Sequence, residues 1–147
     1  MATLNFSNGN YVGDVRNGLQ HGVGTYTWNS GATYTGDWLN GSRTGTGTYT
    51  WNDGDTYTGD FVDGFRTGTG TFTWWDTGNT YTGDFVDGSR TGTGTYTWNE
   101  GMSYNGGWID GMPTGTTPYR EGNAVKLLTP YNDAHVNAVL YEDNYTW

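Results

Sequence analysis

The sequence predicts an all-β fold, an array of consecutive hairpins, and three observations predict it. From Gly45 to Gly64, GTGTYTWNDGDTYTGDFVDG, side chains alternate with period two: Gly47, Tyr49 and Trp51 share one side, Thr46, Thr48 and Thr50 the other. The run is broken at Asn52-Asp53-Gly54-Asp55, where Asn and Asp tolerate left-handed backbone and Gly takes positive φ freely. Tyr57, Gly59 and Phe61 then return on the first face, so two alternating runs around a short turn read as a hairpin. Third, the stretch recurs. The Tyr after the turn is found at Tyr11, Tyr34, Tyr57, Tyr81 and Tyr104, a step of 23 residues except for one step of 24 at WWDTGN, where Trp75 or a neighbour is inserted. A fixed period of this size marks a repeat array whose units bury their faces against neighbours.

Taken in order, residues 2 to 17 form a shortened first hairpin in which Val15 replaces the usual Trp or Phe, as a terminal unit would. Val23 to Leu39, Thr46 to Val62, Thr69 to Val86 and Thr93 to Ile109 are regular hairpins, joined by the tight polar connections NGSRTG, DGFRTG and DGSRTG. A sixth unit is degenerate: Tyr119 stands at a Trp position, Val125 at a Tyr position, and Pro118 falls inside the incoming strand, which suggests an edge. Residues 1 to 129 are therefore the array and 130 to 147 a divergent tail. In the tail Val136, Ala138 and Leu140 alternate with Asn137, Val139 and Tyr141 as a further strand would, with a short helix as the alternative.

The pattern Tyr-x-Gly-x-[Trp/Phe]-x-x-Gly followed by Gly-x-Gly-x-[Tyr/Phe]-x-Trp resembles the MORN repeat over roughly residues 2 to 129. The resemblance implies an elongated, twisted, single-layer antiparallel sheet of about six hairpins. It also implies a non-enzymatic role in scaffolding, dimerisation or tethering, without fixing a process.

Composition bounds the partners. Leu, Ile, Val and Phe are few and the net charge is −9, a disordered signature that the in-register 8 Trp, 12 Tyr and 5 Phe overrule. Each ring buries about 150–250 Å². Tyr34, Trp38, Tyr49, Trp51, Tyr57, Phe61, Phe72, Trp74, Tyr81, Phe85, Tyr96, Trp98, Tyr104 and Trp108 are expected to pack on one another as the core. Gly24, Gly47, Gly70 and Gly94 leave that face locally empty, so that rings of adjacent strands can lie over them. Only 6 Lys and Arg, unclustered, argue against nucleic acid and anionic membranes. With no cysteine there is neither disulfide nor zinc-thiolate site. No stretch reads as a signal peptide or membrane span, which predicts a soluble protein, cytosolic or virion-associated.

Candidate chemistry is sparse. Asp14, Asp37, Asp60 and Asp84 form a ladder on the threonine face, interrupted by Gly107. Its rungs are two strands apart, about 9–10 Å, too far to share a calcium ion. Arg43, Arg66 and Arg90 recur nearby as their expected partners. His21 takes a loop position held by Thr44 in the next unit and reads as an interchangeable surface residue. No nucleophile, base and orienting group stand together, so neither enzyme activity nor a cofactor or metal is expected. The sequons at Asn5, Asn40 and Asn144 read as chance.

The expected function is structural: association with copies of itself or with other subunits, as in a virion, tail fibre or filament. The tail residues Val136, Val139, Leu140, Tyr141 and Trp147 are too apolar for a solvated linker and are the expected interface. The alternative reading is a carbohydrate- or peptide-binding module on the aromatic face.

Overall fold

The computed structural model of the chain describes residues 1–121 and 124–128. Eleven strands follow one another in a single antiparallel sheet: β1 (Ala2–Phe6), β2 (Gly9–Arg16), β3 (Leu19–Trp28), β4 (Thr33–Leu39), β5 (Ser42–Thr50), β6 (Thr56–Val62), β7 (Phe65–Thr73), β8 (Thr80–Val86), β9 (Ser89–Thr97), β10 (Ser103–Ile109) and β11 (Met112–Pro113). Each strand pairs only with its sequence neighbours, so the ladder has no crossover. At about 4.8 Å per step the sheet runs for about 48 Å.

Two kinds of turn alternate. At one long edge lie two-residue tips, Asn17-Gly18, Asn40-Gly41, Asp63-Gly64, Asp87-Gly88 and Asp110-Gly111. In each the first residue has φ between 47° and 52° and the glycine between 76° and 88°. Positive φ at both central residues is the turn whose twist matches the flanking strands, and Asn-Gly and Asp-Gly are the pairs that adopt it at least cost. The tips are thus shorter than the connections read from sequence. Ser-Arg-Thr-Gly and Phe-Arg-Thr-Gly are already strand, and β5, β7 and β9 start at Ser42, Phe65 and Ser89. At the other edge lie longer loops. The extra residue of the 24-residue step sits in the 74–79 loop, where the Gly78 N–H bonds the Trp74 oxygen, while in the 51–55 loop Gly54 bonds Trp51.

The core lies on one face of the sheet and consists of rings: Tyr11, Tyr34, Tyr57, Phe61, Phe72, Tyr81, Phe85 and Trp108 are all at most 2% exposed. Across the ladders Tyr faces Tyr or Phe, Gly faces Gly and Thr faces Thr, as in Tyr49↔Tyr57, Gly47↔Gly59 and Thr48↔Thr58. On the opposite face the threonine hydroxyls pair across strands, Thr25 with Thr35 at 2.9 Å and Thr48 with Thr58 at 3.0 Å.

The sixth unit folds as a hairpin, β12 (Thr117–Glu121) and β13 (Ala124–Leu128), in a two-stranded sheet of its own. The long ladder ends in the two-residue β11, at Pro113, which has no N–H to donate. The predicted strand around Val136–Leu140 and the interface residues Val136, Val139, Leu140, Tyr141 and Trp147 lie outside the described residues.

Candidate functional site

The aromatic face is two rows of rings with arginines between them. One row zigzags along the array in edge-to-face contacts: Trp38 to Tyr34 at 5.2 Å, Tyr34 to Phe61 at 5.0 Å, Phe61 to Tyr57 at 5.1 Å and Tyr57 to Phe85 at 5.0 Å. Tyr81, Trp108 and Tyr104 continue it. The second row is tilted and closer: Tyr49 to Trp51 at 4.6 Å, Trp51 to Phe72 at 5.1 Å, Phe72 to Trp74 at 4.4 Å, then Tyr96 and Trp98. Every ring expected on this face is placed there. Trp28, Tyr49 and Trp51 are only partly buried.

Arg43, Arg66 and Arg90 do not pair with the aspartate ladder. They turn to the aromatic face, because each lies directly opposite an inward Trp or Phe: Trp38↔Arg43, Phe61↔Arg66 and Phe85↔Arg90. Arg66 and Arg90 are 1% exposed. Each guanidinium is held by four rings, two from each row. Arg66 lies 5.5 Å from Trp51, 5.8 Å from Tyr57, 5.4 Å from Phe72 and 5.5 Å from Phe85. The π faces supply the negative potential that a buried cation needs. Burial still lowers the Arg43 pKa, partly offset by Tyr49 and Tyr34. It also raises the tyrosines: Tyr34 is pushed up to about 12, first by desolvation and then by the Asp37 charge, and Tyr81 likewise with Asp84.

Arg43 and Arg90 also clasp the next tip with their side chains. Arg90 Nη2 donates to the Gly111 oxygen at 2.9 Å, while the Gly111 N–H donates to the Arg90 main-chain oxygen at 2.9 Å. Thr44, Thr67 and Thr91 hydroxyls accept from the N–H of Asp63, Asp87 and Asp110. His21 stands in the equivalent place and accepts from Asn40 N–H through Nδ1 at 3.4 Å. The His21 position therefore needs a hydrogen-bond acceptor, which interchangeability with Thr44 left unstated.

The aspartates serve the backbone. Between Gly36 and Trp38 the ladder to β5 shifts register, so Asp37 alone faces Thr44 to Thr46. Asp37 Oδ2 accepts from Thr46 N–H at 2.9 Å, and Asp60 and Asp84 do the same for Thr69 and Thr93. The bulge needs glycine: Gly45 has φ +112°, and a Cβ there would come within 2.6 Å of the Asp37 carboxylate. The buried tyrosine completes the motif, Tyr57 donating to the Asp60 main-chain oxygen at 2.8 Å. Gly47 is required for another reason, since its Cβ would meet the Tyr34 ring at 2.4 Å.

The end units depart from this plan where expected. In the first, Val15↔Gln20 replaces the ring–arginine pair, and in the last Trp108 faces Pro113. Among the described residues no group of three or more His, Cys, Asp or Glu is placed to hold a metal. Among the same described residues no helix is long and apolar enough to cross a membrane. A search among curated proteins returns no match. A family model described as "MORN repeat" matches residues 11–33, 34–56, 57–74, 81–103 and 104–116. Those five segments are the Tyr-led units whose rings, bulges and clasps are described above and cover more than half of the chain; it belongs to the MORN repeat family.

Proposed function

We propose that the chain is a non-enzymatic association module, a subunit of a larger protein assembly such as a virion, tail fibre or filament. The observation that carries this reading is how the array uses its reactive groups. The rings pack on one another, the arginines hold tips, and the ladder carboxylates accept backbone N–H groups. What remains for other molecules is outer surface and edge. β1 ends the sheet and pairs with β2 alone among the described strands, and an unpaired strand edge is a template for another chain. The tail adds apolar contact: Val136, Val139, Leu140, Tyr141 and Trp147 pack on another copy or a different subunit.

Light scattering on the full chain and on a chain truncated after Thr129 tests this. The full chain should exceed its 16.2 kDa monomer mass, and the truncated chain should keep its β circular dichroism and run as a monomer. A monomeric full chain that also forms no complex with candidate subunits would reject the association reading. Assembly that survives truncation would move the interface from the tail to the β1 edge.

A carbohydrate or peptide on the aromatic face is the second reading. It is favoured by the partial exposure of Trp28, Tyr49 and Trp51. A groove of about 340 Å³ also opens beside Gln20, Tyr26, Trp28, Trp38 and Arg43. A saturable tryptophan fluorescence change with oligosaccharides would support it, and a flat titration would set it aside.

A further inference from the structure

The outer face carries an apolar row that neither the core nor the clasps use. The residue after each inward Trp or Phe is exposed: Leu39 49%, Val62 48%, Val86 49% and Ile109 55%, with Phe65 at 46% directly opposite Val62. Scattered surface aliphatics are ordinary. These occupy one register position in four successive hairpins, so they form a stripe with a step of two strands, about 9.4–9.8 Å.

Carboxylates flank the stripe on both sides. Asp37, Asp60 and Asp84 precede it by two residues on the same strands and the same face. Asp63, Asp87 and Asp110 follow it in the exposed tips. The arginines that would neutralise them in a typical surface, Arg43, Arg66 and Arg90, are turned to the other face. A second copy would set these carboxylates against their own kind, and anionic lipid or nucleic acid would be repelled in the same way. The complementary surface is apolar and bordered by cations.

We infer that this stripe docks an amphipathic helix of a partner protein, running along the array, with one apolar residue per unit and Lys or Arg on either side. An α-helix rises 1.5 Å per residue, so every seventh side chain recurs at about 10.5 Å, close to the two-strand step. Apolar anchors enter between tip and ladder while the flanking cations meet the two aspartate rows. The inference extends the association reading to residues 39–109, made of other residues than the tail and the β1 edge.

The test uses the full chain and a fluorescein-labelled synthetic helix of about four heptads, with Leu at every seventh position and lysines beside it. Comparators are the same peptide with Glu for Lys and a scrambled peptide of the same composition. Anisotropy should show the patterned peptide binding about tenfold tighter than either. Two variants locate the site. Val62→Ser with Val86→Ser removes the anchors. Asp63→Asn with Asp87→Asn and Asp110→Asn removes the tip charges and keeps the turn, since Asn40 already adopts φ +48° in the same tip. Each should weaken binding about fivefold or more, and the Asn variant should also flatten the salt dependence. Equal binding of patterned and scrambled peptides would overturn the proposal. So would affinity unchanged by the Asn variant, or stripe-dependent self-association of the chain without peptide.

Discussion

Arg43 and Gly64 hold each other twice: the Gly64 N–H donates to the Arg43 main-chain oxygen at 2.9 Å, and Arg43 Nη2 donates to the Gly64 oxygen at 3.0 Å. Each arginine therefore joins one unit to the tip of the next while its guanidinium fills the space between two ring rows. Neighbouring units are coupled through backbone as well as rings, which suits an array expected to unfold cooperatively over several units.

The bulge makes the ladder aspartates structural. Asp60→Ala leaves the Thr69 N–H, now bonded to Asp60 at 2.9 Å, to find water in a bulge and should cost about 1–2 kcal/mol. Asp60→Asn keeps an acceptor and should cost less than half as much. Urea melts of the two variants give the comparison. Millimolar calcium should leave the melting temperature unmoved, and a rise of several degrees would reopen the ladder as an ion site.

Alkaline pH should unfold the array early. Tyr34 and Tyr81 have folded pKa values raised to about 12 from 10.0, mainly by burial. Below pH about 10 both states keep the proton and these groups add no pH dependence. Between about 10 and 12 the unfolded chain ionises first, so stability falls as pH rises through that window. Urea midpoints from pH 9 to 12 should decline above 10, and less steeply in Tyr34→Phe. A flat profile would mean the hydroxyls reach solvent.

One buried carboxylate is incompletely satisfied, and a single hydroxyl should improve it. Asp55 is 2% exposed; its Oδ1 accepts from Trp75 N–H, while Oδ2 has no partner. Two other units close this gap with tyrosine: Tyr26 donates to Asn8 and Tyr96 accepts from Asn79. The 55–72 unit has Phe72 in that place. Phe72→Tyr should raise stability by about 1 kcal/mol. A loss instead would show that the ring has no room for the added oxygen.

Glycine substitutions separate two causes. Gly47→Ala should be the most damaging, because its Cβ falls on the Tyr34 ring and overpacking of that kind costs about 1–3 kcal/mol or more. Gly64→Ala meets only the end of Arg43 at 3.4 Å, but its φ of +87° is strained for alanine, at roughly 1 kcal/mol. Denaturant melts should rank Gly47→Ala below Gly64→Ala.

Much of the fold was legible because the repeat averages out local ambiguity. Tyr, Gly and Trp at fixed offsets identify the inward face, and Gly47 was readable as a place where a ring must lie. The inward arginines were not. A cation next to an acidic row reads as its partner, although Arg43 alternates in step with Gly45, Gly47 and Tyr49 and so shares their face; the bulge, which shifts β5 against β4 by two residues, then sets it opposite Trp38. The role of Asp37 was hidden for the same reason, since the N–H it accepts belongs to Thr46 on another strand. Pro113 marks the end of the long ladder, although Pro118 drew attention first.

The central claim is that the arginines belong to the core, and Arg66→Ala tests it most directly. Urea unfolding followed by far-UV circular dichroism and tryptophan fluorescence should show a loss of about 2–4 kcal/mol, from a desolvated cation and its packing among four rings. The loss should be the same in low salt and in about 1 M NaCl, because a buried group is little screened. A loss below about 0.5 kcal/mol, or one that disappears in high salt, would contradict it and return Arg66 to the surface as a partner of the aspartates.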